Sequence, residues 1–199
     1  MKLQPKLIDV GIPKDPEGVV LVLHGGASRR RNMMVSPTQL SVLRMIPIAR
    51  RIDRAGRGRL AVFRLLNSVR GWDTTHTPVS DARWALAQIE ARLGSLPTSL
   101  VGHSLGGRAA ILSAPLVSRV VALAPWVYPS DVPRGLDGQA ILILHGTQDR
   151  IASPQRSRAL ATALAQHARV TYVEVEGGKH AMLSHHSEFS RPAAQFVTS

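Results

Sequence analysis

With 199 residues, 44% of them hydrophobic and 19% charged, the chain can build one folded domain with a substantial core, but not a catalytic core plus a large lid domain. It has no cysteine, which excludes disulfides, thiol catalysis and cysteine-ligated metal. A formal net charge of +12 raises the question of an acidic partner; much of it is arginine from Arg29 to Arg70, with Asp53 the only acid among them and no nucleic-acid motif alongside, so a solvated face is the plainer reading.

Lys2, Pro5, Lys6, Asp9 and Pro13 interrupt Met1 to Pro16, where a secretory signal would need an apolar core. No uninterrupted apolar run is long enough to span a bilayer, so the expectation is a cytoplasmic protein. Gly18 to Leu23 is a short valine-rich run, as expected of a strand buried on both faces, and it stops at His24, Gly25, Gly26. Pro37 to Ala55 carries Leu40, Leu43, Ile46 and Ile48 at helical spacing, with a kink or split expected at Pro47. Leu60 to Leu66 reads as a strand, Asn67 to Pro78 as a loop, and Ser80 to Leu93 as a helix capped by Ser80.

Thr98 to Val101 predicts the next strand, and Arg108 to Leu112 the helix after it. Further strands are expected at Val117 to Ala124, Ala140 to Leu144 and Val170 to Val175, with helices at Pro154 to Gln166 and around Glu188 to Phe196. Such alternation calls for a doubly wound, mostly parallel α/β sheet of about six strands in a single domain, with its site past the carboxyl ends of the strands.

Between one strand and its helix stands Gly102-His103-Ser104-Leu105-Gly106. To expose a hydroxyl at a strand tip the chain must turn sharply, and the residues two before and two after must be nearly without side chains. Gly102 and Gly106 meet that demand, making Ser104 a candidate nucleophile. A serine nucleophile needs a base and an acid to orient it. Asp149 follows the strand ending at Leu144, and His180 follows the strand ending at Val175, giving the order Ser104, Asp149, His180. Asp131 is the alternative acid, and His185 and His186 are the competing bases. His103 reads as a packing or hydrogen-bonding neighbour, and His24 and His145 as loop-orienting groups.

On His24-Gly25-Gly26, Gly102 to Gly107, His145-Gly146-Thr147-Gln148-Asp149 and Gly177-Gly178-Lys179-His180, the chain resembles the α/β-hydrolases, in particular small lidless members of the dienelactone hydrolase kind. The resemblance runs from about Val19 to Phe196. It implies Asp149 as triad acid, His180 as base, and an oxyanion hole from the N–H groups of Gly26 and Leu105, with Ala27 the substitute for Gly26. It also implies early antiparallel strands, of which Met1 to Asp15 can supply one at most.

The expected activity is hydrolysis of carboxylic esters or thioesters of small or exposed acyl groups, with no cofactor and no metal. Trp72, Trp126 and Met182 are candidate pocket walls with Ala27, and Arg29, Arg30 and Arg108 are candidates for recognising a carboxylate or phosphate. The competing class is a non-enzymatic module whose basic surface binds an acidic partner. Oligomeric state is not readable from the sequence.

Overall fold

The computed structural model describes residues 4–26 and 34–199. Seven strands form one sheet: β1 (Lys6–Gly11), β2 (Gly18–Leu23), β3 (Leu60–Leu66), β4 (Thr98–His103), β5 (Arg119–Leu123), β6 (Ala140–Gly146) and β7 (Arg169–Val175). Their spatial order is β1-β3-β2-β4-β5-β6-β7. All neighbours run parallel except β1, which pairs antiparallel with β3. Six of these are the strands expected from the apolar runs, and β1 is the one strand that Met1 to Asp15 was expected to supply at most. It lacks a continuous apolar run because it lies at the edge and is only part-buried.

Successive residues of β2 explain its valine-rich sequence. Val19, Leu21 and Leu23 point into one core with Ala82, Ala85 and Ile89 of α3 (Thr77–Leu93), Ala109 and Ala110 of α4 (Leu105–Leu112), and α5 (Pro154–Leu164). Val20 and Val22 point into the opposite core with Ile48 and Ile52 of α2 (Met45–Gly56) and Phe189 of α6 (His186–Thr198). A strand covered on both faces has no polar side to show, so alternation disappears from its sequence.

Two helix expectations need correction. The helix expected at Pro37 to Ala55 is two helices, α1 (Leu40–Leu43) and α2, and Pro47 sits in the first turn of α2, where a missing N–H breaks no intrahelical bond. Ser80 is not a cap: α3 begins at Thr77, whose N–H donates to Asp73 Oδ1 at 2.7 Å. Asp73, four residues back, supplies the acceptor that Ser80 was expected to supply.

The chain runs from β2 to β3 on one side and then crosses to β4 on the other, so the strand order reverses between β2 and β4. Their carboxyl ends, His24 to Gly26 and His103 to Ser104, flank the crevice that such a reversal opens.

Candidate active site

Ser104 occupies the single residue between β4 and α4, with φ 56° and ψ −119°. For a residue with a side chain this backbone region costs about 1–3 kcal/mol and persists only where the surroundings enforce it. They do so here. The Ser104 N–H donates to Leu123 O at 3.0 Å, and its carbonyl accepts from Arg108 N at 3.1 Å and Trp126 N at 3.2 Å. A Cβ on Gly102 would lie 2.1 Å from Gly106 O, and one on Gly106 would lie 2.5 Å from His24 O. Strand, turn and helix can close only because both positions are glycine.

The loops after β6 and β7 are tied together. Gln148 N–H donates to Gly178 O at 2.9 Å and Thr147 N–H to Val175 O at 3.0 Å, while Gly146 and Gly178 pack backbone to backbone. This binding brings Asp149 and His180 side by side. His180 Nδ1–H donates to Asp149 Oδ2 at 2.8 Å, which leaves Nε2 bare to accept the Ser104 hydroxyl at 3.0 Å. Asp149 Oδ1 accepts the N–H groups of Ile151 and Ala152 at 2.8 and 2.9 Å, and Oδ2 takes a second bond from His145 Nε2–H at 3.2 Å. Burial pushes the Asp149 carboxyl up, but His145, His180 and the Ala152 N–H together outweigh it and hold the group below the usual carboxylate range. An ionised, fixed carboxylate is thus aligned with an imidazole tautomer able to take a proton from serine.

His103 is buried and donates its Nε2–H to the His180 carbonyl at 2.9 Å. Burial first, then the neighbouring His180, pushes its imidazole down to about 3, so it stays neutral and braces the loop carrying His180. His24 accepts the Asn67 N–H at 3.1 Å and ties the loop after β2 to the one after β3. His145 receives the Ser157 hydroxyl on Nδ1 at 2.9 Å. His185 and His186 lie at the start of α6 and are absent from the cleft wall. Among the described residues no cluster of His, Asp and Glu could hold a metal ion.

Asp131 is engaged elsewhere. It receives two hydrogen bonds from Arg108, Nε and Nη2 each at 2.8 Å, in a buried pair over which Trp72, Trp126 and Tyr128 are stacked within 4.4–5.7 Å of the guanidinium. Arg108 is therefore already matched by a carboxylate.

Ser104 and His180 open into a cleft of about 650 Å³. Gly26 and Leu105 line it, as do Trp72 and Trp126. Leu105 is the first residue of α4, so its N–H has no acceptor in its own helix. Met182 does not line the cleft: it is fully buried in the core beneath α2 and α6. Ala27, Arg29 and Arg30 lie outside the described residues. Arg44, Tyr128 and Ile151 complete the wall. Arg44 sits at the end of α1, in the segment that follows the β2 loop, a position at the strand-order reversal that sequence alone marked only as part of an arginine-rich stretch.

No protein-family model matches the sequence, and no curated protein sequence does either. Solved structures do. An alpha-beta serine hydrolase homologue from Coxiella burnetii superposes with a TM-score of 0.74 at 17% identity, covering 96% of this chain and 90% of that one. The chain has the α/β-hydrolase fold. A thermophilic esterase from the planctomycete Thermogutta terrifontis, in a butyrate-bound form, superposes on the same fold with a TM-score of 0.71 at 18% identity over 97% of this chain and 88% of its own. Est1E from Butyrivibrio proteoclasticus does so at 0.67 and 14%, over 97% and 92%. The three superpositions take in 96–97% of this chain and 88–92% of the neighbours' own length.

Proposed function

We propose that the protein is a serine hydrolase that cleaves carboxylic esters or thioesters of small or exposed acyl groups through an acyl-enzyme. The observation that carries this reading is the unbroken hydrogen-bonded line from Ser104 Oγ through His180 to Asp149 at the floor of a cleft. Neighbours in structure that are serine hydrolase homologues and esterases support the same chemistry.

In this reading His180 Nε2 takes the Ser104 proton as Oγ attacks the carbonyl carbon, and Asp149 stabilises the resulting imidazolium and keeps its orientation. The N–H groups of Leu105 and Gly26 receive the developing oxyanion, each such donor being worth about 3 kcal/mol in the transition state. His180 then protonates the departing alcohol or thiol. Water, deprotonated by the same ring, releases the acid and restores the serine. The cleft is walled by Trp72, Trp126 and Tyr128 without a covering domain among the described residues, which suits short acyl chains over long ones.

The test is turnover of aryl acetate, butyrate and octanoate by the wild type and Ser104→Ala. Hydrolysis that favours the two shorter esters and is lost in the variant supports the reading. Equal turnover by both proteins removes Ser104 from the chemistry, and a folded wild type inert to every ester favours a binding module instead.

A further inference from the structure

On one side of Ser104 the cleft wall carries an arginine that no described residue pairs with. Arg44 lines the cleft, and its Nε is buried without a hydrogen-bond partner. Its charge reaches His103, the residue before the serine. Arg70, in the loop after β3, is in the same condition at Nε and lines a second hollow of about 510 Å³ with Ser36, Thr38 and Gln39. Gly26 and Ser41 belong to both walls, so the hollow is an annex of the cleft. Gly26 also packs on Arg70, where a Cβ would come within 2.4 Å of the Arg70 carbonyl.

Charge balance sets these two arginines apart from Arg108, the other arginine of the cleft wall. Arg108 is paired with Asp131, Arg92 with Asp9 and Arg158 with Glu174, whereas no ion pair among the described residues includes Arg44 or Arg70. The sequence has no acid between Glu17 and Asp53, and among the described residues the walls of both hollows contain no carboxylate. Both side chains are part-buried with Nε shielded from solvent, so a ligand that brings a carboxylate pairs a charge that the described residues leave unmatched. The guanidinium fork matches a carboxylate in plane and spacing.

We infer that Arg44, with Arg70 behind it, forms a carboxylate-binding subsite beside Ser104, so that the preferred substrate is an ester bearing a second, anionic carboxylate at its non-reacting end. The substrate half of this statement rests on the hydrolase reading above; the binding half does not.

Two matched pairs of esters test it. In the first, 4-methylumbelliferyl hexanoate is compared with the 4-methylumbelliferyl monoester of adipic acid, which places a carboxylate at the end of the acyl chain. In the second, the hexanoate ester of 4-hydroxybenzamide is compared with that of 4-hydroxybenzoate, which places it on the leaving group. In at least one pair the anionic member is favoured in kcat/KM, and Arg44→Gln lowers that ratio about tenfold, with Arg70→Gln lowering it less. Turnover of the neutral esters with no anionic preference in either pair, or a preference untouched by Arg44→Gln, overturns the subsite and leaves the hydrolase standing. Should no ester be turned over, the hydrolase reading fails and calorimetric titration of adipate decides the subsite: binding weakened by Arg44→Gln supports it, and no binding overturns it. Inorganic phosphate binding more tightly than adipate overturns the carboxylate assignment.

Discussion

His145 Nε2 lies 3.2 Å from Asp149 Oδ2, the same oxygen that receives the His180 Nδ1–H at 2.8 Å. One carboxylate oxygen is thus held between two histidines, one facing the cleft and one sealed in the core with Ser157 on its far side. His145 is a positioning residue: it touches neither Ser104 nor the cleft, but fixes the group that fixes His180. His145→Leu is expected to lower kcat about tenfold or more while KM changes little, and His145→Gln, whose amide can still donate to Asp149, to recover much of the loss. Steady-state kinetics on the two variants checks this. A purely structural role would instead lower the amount of folded enzyme without the Gln variant recovering turnover per active site.

Asp149 and Asp131 are separable by mutation. Asp149→Asn is expected to reduce kcat by about 10⁴-fold, because the amide no longer fixes the His180 tautomer. Asp131→Asn instead leaves the buried Arg108 partly uncompensated, and is expected to cost about 3 kcal/mol of stability while the hydroxyl-to-imidazole line remains intact. Urea unfolding and turnover measured side by side distinguish the two.

The glycines of the turn are expected to differ from glycines that merely carry an unusual φ. Gly102→Ala drives a methyl group into the Gly106 backbone and is expected to cost at least about 3 kcal/mol or to prevent folding. Gly94→Ala, at φ 75° and ψ −175° with nothing within 4 Å of the new carbon, meets backbone strain alone and is expected to cost about 2 kcal/mol and still fold. Thermal unfolding of both variants measures the contrast.

His103 predicts a pH dependence of stability. Its imidazole is pushed down to about 3 in the folded protein from an ordinary value of 6.5, so below that ordinary value the unfolded chain binds the proton first. Stability from this group is full above pH 6.5 and falls as pH drops toward 3, by up to about 1.4 kcal/mol per unit. His103→Gln keeps a donor toward the His180 carbonyl but removes the titration. Urea midpoints between pH 7 and 5 should therefore fall less steeply in the variant; identical slopes would contradict the burial argument.

Much of the fold was legible in the sequence because its signals are short-range. Gly18 to Leu23 and Leu60 to Leu66 have the observed strand bounds, since continuous apolar runs ending at polar or glycine residues leave little choice. The glycines flanking Ser104, Asp149 and His180 made the site traceable as well, because close backbone approach leaves glycine as its mark. What was not legible depends on distant partners. Met182 looks like a pocket residue beside His180, yet its left-handed backbone at φ 57° turns the chain into the core. Arg108 looks available until Asp131, distant in sequence, claims it. Arg44 is one arginine among many until the fold sets it beside Gly26 and Ser104.

Every step proposed for the site requires Ser104 to be an activated nucleophile. Incubation of the wild type with a fluorophosphonate probe, followed by peptide mass spectrometry, reads this directly. The expected result is a single stoichiometric adduct on Ser104, abolished in Ser104→Ala and strongly slowed in His180→Ala. A folded wild type that stays unlabelled, or one labelled equally well after Ser104→Ala, would contradict the account.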